Sequence, residues 1–224
     1  MGAKNDSETT RAGVIGDIHG DYGLFLSALA ALGVECHARC DAEAAGHMSG
    51  RHTRWPENLW VIQLGDQIHR GRDGNLVLRM RDKLRAHSGG HYVDLWGNHE
   101  AQYGGGPKFW RDRGDEIDPA LLDPDNPRAA AAAIVTDRRV WVASHAGITR
   151  GWVEASTATS DIDPSDPVEL VREANRQWVR GDRLLFAAGA MLGHLDRFGR
   201  VRRGMTNRAA GPLWAETGSE DLDS

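Results

Sequence analysis

Apolar and polar positions along this chain follow two alternating periods. Short apolar runs at Arg11 to Gly16, Leu59 to Leu64 and His91 to Trp96 are bounded by glycine or charge, the pattern of buried strands. Between them the period lengthens. Leu24, Phe25, Ala28, Leu29 and Leu32 share one helical stripe that opens at Asp21 and stops at Gly33. Leu76, Val77, Met80 and Leu84 make a second stripe, closed by Gly89-Gly90. Strands alternating with helices predict an α/β fold with a mixed sheet.

Elsewhere the pattern is less regular. From Val34 to Pro56 periodicity lapses and Cys, His, Gly and Arg crowd together, which reads as an insertion or long loop. Tyr103 to Pro107 is a glycine-rich loop, and Asp115 to Arg128 is interrupted by prolines. The alanine run Ala129 to Ala133 fits a helix. Ile134-Val135-Thr136 and Val140 to Ser144 flank Asp137-Arg138-Arg139 as a hairpin. Asp166-Pro167 reads as an N-cap followed by proline at the first helical position, with Glu169 three residues past the cap. Leu170, Val171, Ala174 and Trp178 form that helix's buried stripe. Leu184 to Met191 is apolar, and beyond it only Gly211-Pro212-Leu213-Trp214 stands out before an acidic tail. With no repeat and no boundary, the expectation is one domain over 1–224, its core at 11–214 between flexible tails at 1–10 and 215–224.

Composition narrows the class. At 224 residues, with 40% hydrophobic and 26% charged, the chain matches an ordinary globular protein with a substantial core. A net charge of −5 gives no basic surface for nucleic acid. Met1 to Thr10 has no apolar signal segment, and Asp6 stands where a myristoylation signal needs Ser or Thr. No apolar run approaches the ~18 residues of a membrane span. Cys36 and Cys40 are too few for a disulfide framework, so a cytoplasmic location is expected.

The chemistry sits where the runs stop. Asp17 and His19 follow the first, Asp66 follows the second in Gly65-Asp66-Gln67-Ile68-His69-Arg70-Gly71, and Asn98 and His99 follow the third in Gly97-Asn98-His99-Glu100. The later run Val140 to Ser144 ends on His145. Asp-x-His alone is common by chance, but four runs ending on oxygen and nitrogen donors point to a metal site. Mixed Asp, His and Asn donors suit Mn²⁺, Fe or Zn²⁺ better than Mg²⁺ alone.

That series resembles the calcineurin-like metallophosphoesterases, and within them the Ser/Thr protein phosphatases and their bacterial relatives. The likeness runs from Gly16 to about Gly147, with a weaker echo at Gly211 to Trp214. It implies a four-layer α/β/β/α sandwich with two divalent metal ions at the strand ends. By the resemblance, Asp17, His19 and Asp66 hold the first metal. Asp66 bridges to the second, which Asn98 and His145 also bind. His99 is the implied acid for the leaving oxygen, His69 its catalytic neighbour, and Arg70 grips phosphate with Asn98 beside it. The implied reaction is direct attack of metal-bound hydroxide on phosphorus, in a phosphoprotein or a nucleotide-type small molecule. No membrane partner is expected.

Three positions depart from the family pattern. Protein phosphatases carry Asp where His69 stands, although the related diadenosine tetraphosphatases also lack it and are active. The family's C-terminal Gly-His does not follow Trp214, which implies either an under-liganded second metal or a truncated form lacking its closing strands. Ala215-Glu216-Thr217 supplies no second phosphate-gripping Arg. His194 follows no strand-like run and reads as a loop residue. Cys36, Cys40, His47 and His52 resemble a zinc set, but the gap after Cys40 is shorter than the usual ~12–15 residues, so incidental loop cysteines are the better reading. A second reading, motivated by the first two departures, is a catalytically impaired scaffold that acts as a binding or regulatory protein.

Overall fold

The computed structural model describes residues 10–36, 53–106, 116–122, 129–136, 138–182, 185 and 211–213. Apart from Leu185, the 184–191 stretch lies outside them, as do Cys40, His47, His52, His194 and Trp214. Strand β1 (Arg11–Ile15) leads into helix α1 (Tyr22–Ala31). Asp21 caps α1, its carboxylate accepting from the Leu24 amide at 2.8 Å. The short strands β2 (Glu35–Cys36) and β3 (Thr53–Arg54) pair antiparallel and close the base of the irregular segment. Then come β4 (Leu59–Gln63), α2 (Gly74–His87) and β5 (Tyr92–Asp94).

β1, β4 and β5 form one parallel sheet with β4 in the middle. The crossovers advance in one direction across it, so α1 and α2 cover the same face. Phe25 and Leu29 of α1 meet Val77, Met80 and Leu84 of α2 over Ile15, Val61 and Tyr92. Each large apolar side chain buried there contributes about 1.5–3 kcal/mol. The buried side of α1 is the row Tyr22, Phe25, Leu26 and Leu29, and Leu24 lies opposite it, 50% exposed. Leu24 therefore does not belong to the stripe. On α2, Leu78 is buried where the sequence pointed to Leu76, because Ile68, Ile117 and Leu122 cover that side as well. Leu122 ends a 3₁₀ turn, Pro119–Leu122.

The chain continues through the short helix α3 (Asn98–Ala101) to the strands β6 (Ala131–Val135) and β7 (Val140–Ser144). The alanine run is thus a strand and not a helix. Its backbone groups pair across the hairpin, with Ile134 opposite Trp141 and Val135 opposite Val140. Pairing of five residues outweighs alanine's weak helical preference. The Trp96 amide donates to the Ala129 carbonyl at 3.0 Å, which ties the hairpin to the end of β5. Helices α4 (Arg150–Thr157) and α5 (Pro167–Arg180) follow.

Helix α5 starts as expected, with Asp166 as cap and Pro167 at N1. Glu169 instead accepts from the Asp163 amide at 2.8 Å. Asn175 holds α5 to the hairpin: its Oδ1 accepts from the Ala130 and Ala131 amides, and its Nδ2 donates to the Ala131 carbonyl. The described residues make a mixed α/β fold. None of their helices is long and apolar enough to cross a membrane.

Candidate metal centre

Because β1, β4 and β5 are parallel, the loops that follow them emerge on one edge of the sheet. Glycines let those loops interlock. A Cβ on Gly71 would lie 2.5 Å from the Gly20 carbonyl, and one on Gly65 would lie 2.3 Å from the Gly97 amide nitrogen. Those contacts are closer than any side chain allows. The Ile18 and His19 amides both donate to the Asp66 carbonyl, at 3.0 and 2.8 Å. Loop 65–71 therefore sits directly on loop 16–20.

Four non-glycine residues here have left-handed backbones: His19 (φ 50°), Asp66 (φ 51°), His69 (φ 70°) and Arg70 (φ 64°). Each costs about 1–3 kcal/mol and persists only where its surroundings enforce it. At Asp66 and the two residues after it, Glu100 provides that enforcement. One carboxylate oxygen accepts from the Asp66 and Gly97 amides at 2.8 and 3.0 Å, the other from Gln67 and Ile68 at 2.7 and 3.2 Å.

The result is a convergence on the buried carboxylate of Asp66. His145 Nε2 lies 3.5 Å from its Oδ1, and His19 Nε2 and His99 Nε2 lie 3.7 and 3.8 Å from its Oδ2. Asp17 joins from the rim, its Oδ2 3.5 Å from His19 Nε2 and its Oδ1 3.9 Å from His145 Nδ1. Two triads have donor atoms all within 4.8 Å of one another: Asp17, Asp66 and His145, and His19, Asp66 and His99. Asn98 opens α3 beside His99, and its buried Oδ1 has no hydrogen-bond partner among the described residues. Arg70 is exposed, close enough for its charge to act on Asp17, His19 and His99. His69 reaches the group through His99, Nδ1 to Nδ1 at 2.7 Å. On its other side His69 Nε2 meets the Tyr103 hydroxyl at 3.0 Å.

These donors fit divalent cations. A backbone carbonyl only accepts, so His145 Nδ1, 3.0 Å from the Leu64 carbonyl, carries the proton and its Nε2 presents a lone pair toward Asp66. His19 Nδ1 faces the Ile68 carbonyl at 3.4 Å, so it carries a proton as well. Burial, then the Glu100 charge, pushes the Asp66 carboxyl up to about 8, the behaviour of a carboxylate short of positive charge. Burial, then the positive charge of His19, pulls His99 down to about 3, so it is a neutral imidazole. The His19 hydrogen bond holds Asp17 below the usual carboxylate range.

Two residues here escaped the sequence reading of the site. Glu100 was visible only as part of a motif, with nothing to reveal its four amide partners. Tyr103 had one available signal, its i+4 spacing from His99.

Known proteins bear on this geometry. No curated protein sequence matches the chain. The phosphatase domain from the Legionella effector WipB, a solved structure, is similar at 14% identity over 78% of this chain and 82% of that one, with a TM-score of 0.52. At that identity the likeness speaks to fold alone. The pattern of the calcineurin-like phosphoesterase family matches residues 10–202, a span that holds all the residues described above for the site. The chain belongs to the calcineurin-like phosphoesterases.

Proposed function

We propose that this chain is a dinuclear metal-dependent phosphatase, hydrolysing a phosphoprotein or a nucleotide-type phosphoester. The observation that carries the reading is the approach of three imidazoles to the one buried carboxylate of Asp66, with Asp17 at its edge. Asp17, His19 and Asp66 would hold one cation; Asp66, Asn98 and His145 would hold a second, with Mn²⁺, Fe or Zn²⁺ suited to the donors. When bound, such cations neutralise phosphoryl oxygens and lower the pKa of a coordinated water. Arg70 at the rim binds phosphate through two parallel N–H donors. His99, kept neutral, directs its Nε2 into the same space to meet the leaving oxygen. We extend the family reading to the architecture, with the β6–β7 hairpin as the start of the second sheet in a four-layer α/β/β/α sandwich.

The test is turnover of an aryl phosphate with added Mn²⁺, together with metal content. Two metals per chain, and turnover lost in His99→Ala with the metals retained, are expected. A wild-type protein that binds metal without turnover would return the chain to the class of binding scaffolds.

A further inference from the structure

His99 can leave its proton on either ring nitrogen, and the two choices mean different things. With the proton on Nδ1, Nε2 is a lone pair facing Asp66, and His99 becomes a third imidazole ligand beside His19. With the proton on Nε2, it can meet a leaving oxygen. The file of groups behind His99 bears on which one holds. His99 Nδ1 lies 2.7 Å from His69 Nδ1, and His69 Nε2 lies 3.0 Å from the Tyr103 hydroxyl. Each contact needs one donor and one acceptor, so the polarity of the whole file is set together. A phenol that donates to His69 Nε2 leaves the His69 proton on Nδ1, which donates to His99 Nδ1 and forces the His99 proton onto Nε2.

We propose that Tyr103 is a positioning residue which, through His69, holds His99 with its proton on Nε2, facing the leaving group. This rests on the phosphoester-hydrolase reading above. It gives His69 a purpose that a carboxylate would serve differently: a neutral file fixes the tautomer without adding charge. As the bond from phosphorus to the leaving oxygen breaks, the Nε2 proton passes to that oxygen. His99 regains a proton at Nδ1 from His69, and His69 regains one at Nε2 from the phenol, which is left as a phenolate until the file shifts back. The attacking water sheds one proton as it bonds to phosphorus. After the product leaves, site water returns a proton to His99 Nε2 and the file shifts back, so the count closes.

Tyr103→Phe keeps the ring and removes the donor. Rates on phenyl phosphate, whose leaving group needs a proton, are compared with rates on 2,4-dinitrophenyl phosphate, whose leaving group does not. The expected result is a fall in kcat with KM little changed, and a ratio of the two rates shifted by about tenfold or more against phenyl phosphate. Equal losses on both esters, or none, would overturn the proposal. Imidazole ¹⁵N shifts in Zn²⁺-loaded protein test it without turnover. The wild type should show His99 protonated at Nε2 and His69 at Nδ1, with that pattern lost in Tyr103→Phe. Protonation of His99 at Nδ1 would make it a ligand and overturn the proposal by itself. A wild type inactive on both esters would count against the hydrolase reading alone, since the tautomers still decide the role of Tyr103.

Discussion

Glu100 Oε2 accepts the amide of Asp66 at 2.8 Å, and the conformation of the central carboxylate's loop depends on that bond. The same carboxylate satisfies three further amides, at Gly97, Gln67 and Ile68, two donors to each oxygen. Glu100→Gln replaces one oxygen with an NH₂ group, so two buried N–H donors lose their acceptor whichever way the amide turns. The expected loss is on the order of 2–6 kcal/mol of stability, at about 1–3 kcal/mol per orphaned donor. Thermal unfolding measures it, and metal affinity should fall with it.

The glycine seams make a sharper contrast. A methyl at Gly97 would lie 2.2 Å from both the amide nitrogen and the Oδ1 of Asp66, and one at Gly65 meets backbone at 2.3 Å on a φ of +99°. Gly97→Ala and Gly65→Ala should each cost more than about 3 kcal/mol, through forced displacement of backbone and, at Gly65, left-handed strain. Gly16 belongs to the same motifs, but nothing lies within 4 Å of its added Cβ. Gly16→Ala should stay within about 0.5 kcal/mol of wild type by denaturant unfolding.

What sequence revealed and what it concealed divide along physical lines. Donor residues at strand ends were legible because strand ends and carboxylates are both local signals, and Asp17, His19, Asp66 and His145 do converge. The hairpin at 134–144 was legible for the same reason, as was the Asp166-Pro167 start of α5. Ala129 to Ala133 misled because alanine's preference is weak and the pairing partner, β7, lies beyond the window a propensity sees. Leu24 misled because a stripe drawn from five apolar residues admitted one on the far side. Helix α4 had no strong signal of its own: it is short, and Trp152, fully buried, donates its indole N–H to Gln177 on another helix. Glu100 and Tyr103 act through contacts that depend on how loops fold back, and no spacing encodes those.

The pH dependence of the metal-free protein follows from Asp66. Its pKa is raised from 3.8 to about 8 by burial and the neighbouring Glu100. Folding therefore favours the protonated carboxyl, a contribution fully present below about pH 4 and lost as pH rises through about 8. Chelated protein should lose stability across that window, seen as a falling midpoint in denaturant. A bound cation replaces the proton, so stabilisation by Mn²⁺ should grow over the same range.

Asn175 offers a test remote from the site. Its side chain makes three hydrogen bonds to the first residues of the hairpin whose second strand delivers His145. Asn175→Ala should cost about 2–3 kcal/mol, near 1 kcal/mol per bond. Asn175→Asp keeps both accepted bonds but sets a carboxylate oxygen against the Ala131 carbonyl, so part of the loss should remain. If turnover falls with stability in the alanine variant, the hairpin's seating on α5 sets the position of His145.

The proposed chemistry requires two cations that share the carboxylate of Asp66. Crystals soaked in Mn²⁺ and measured at its absorption edge read this directly. Two anomalous peaks about 3.5–4 Å apart, one on each side of that carboxylate, are the predicted result. Peaks elsewhere, or none within bonding distance of Asp66, would contradict it.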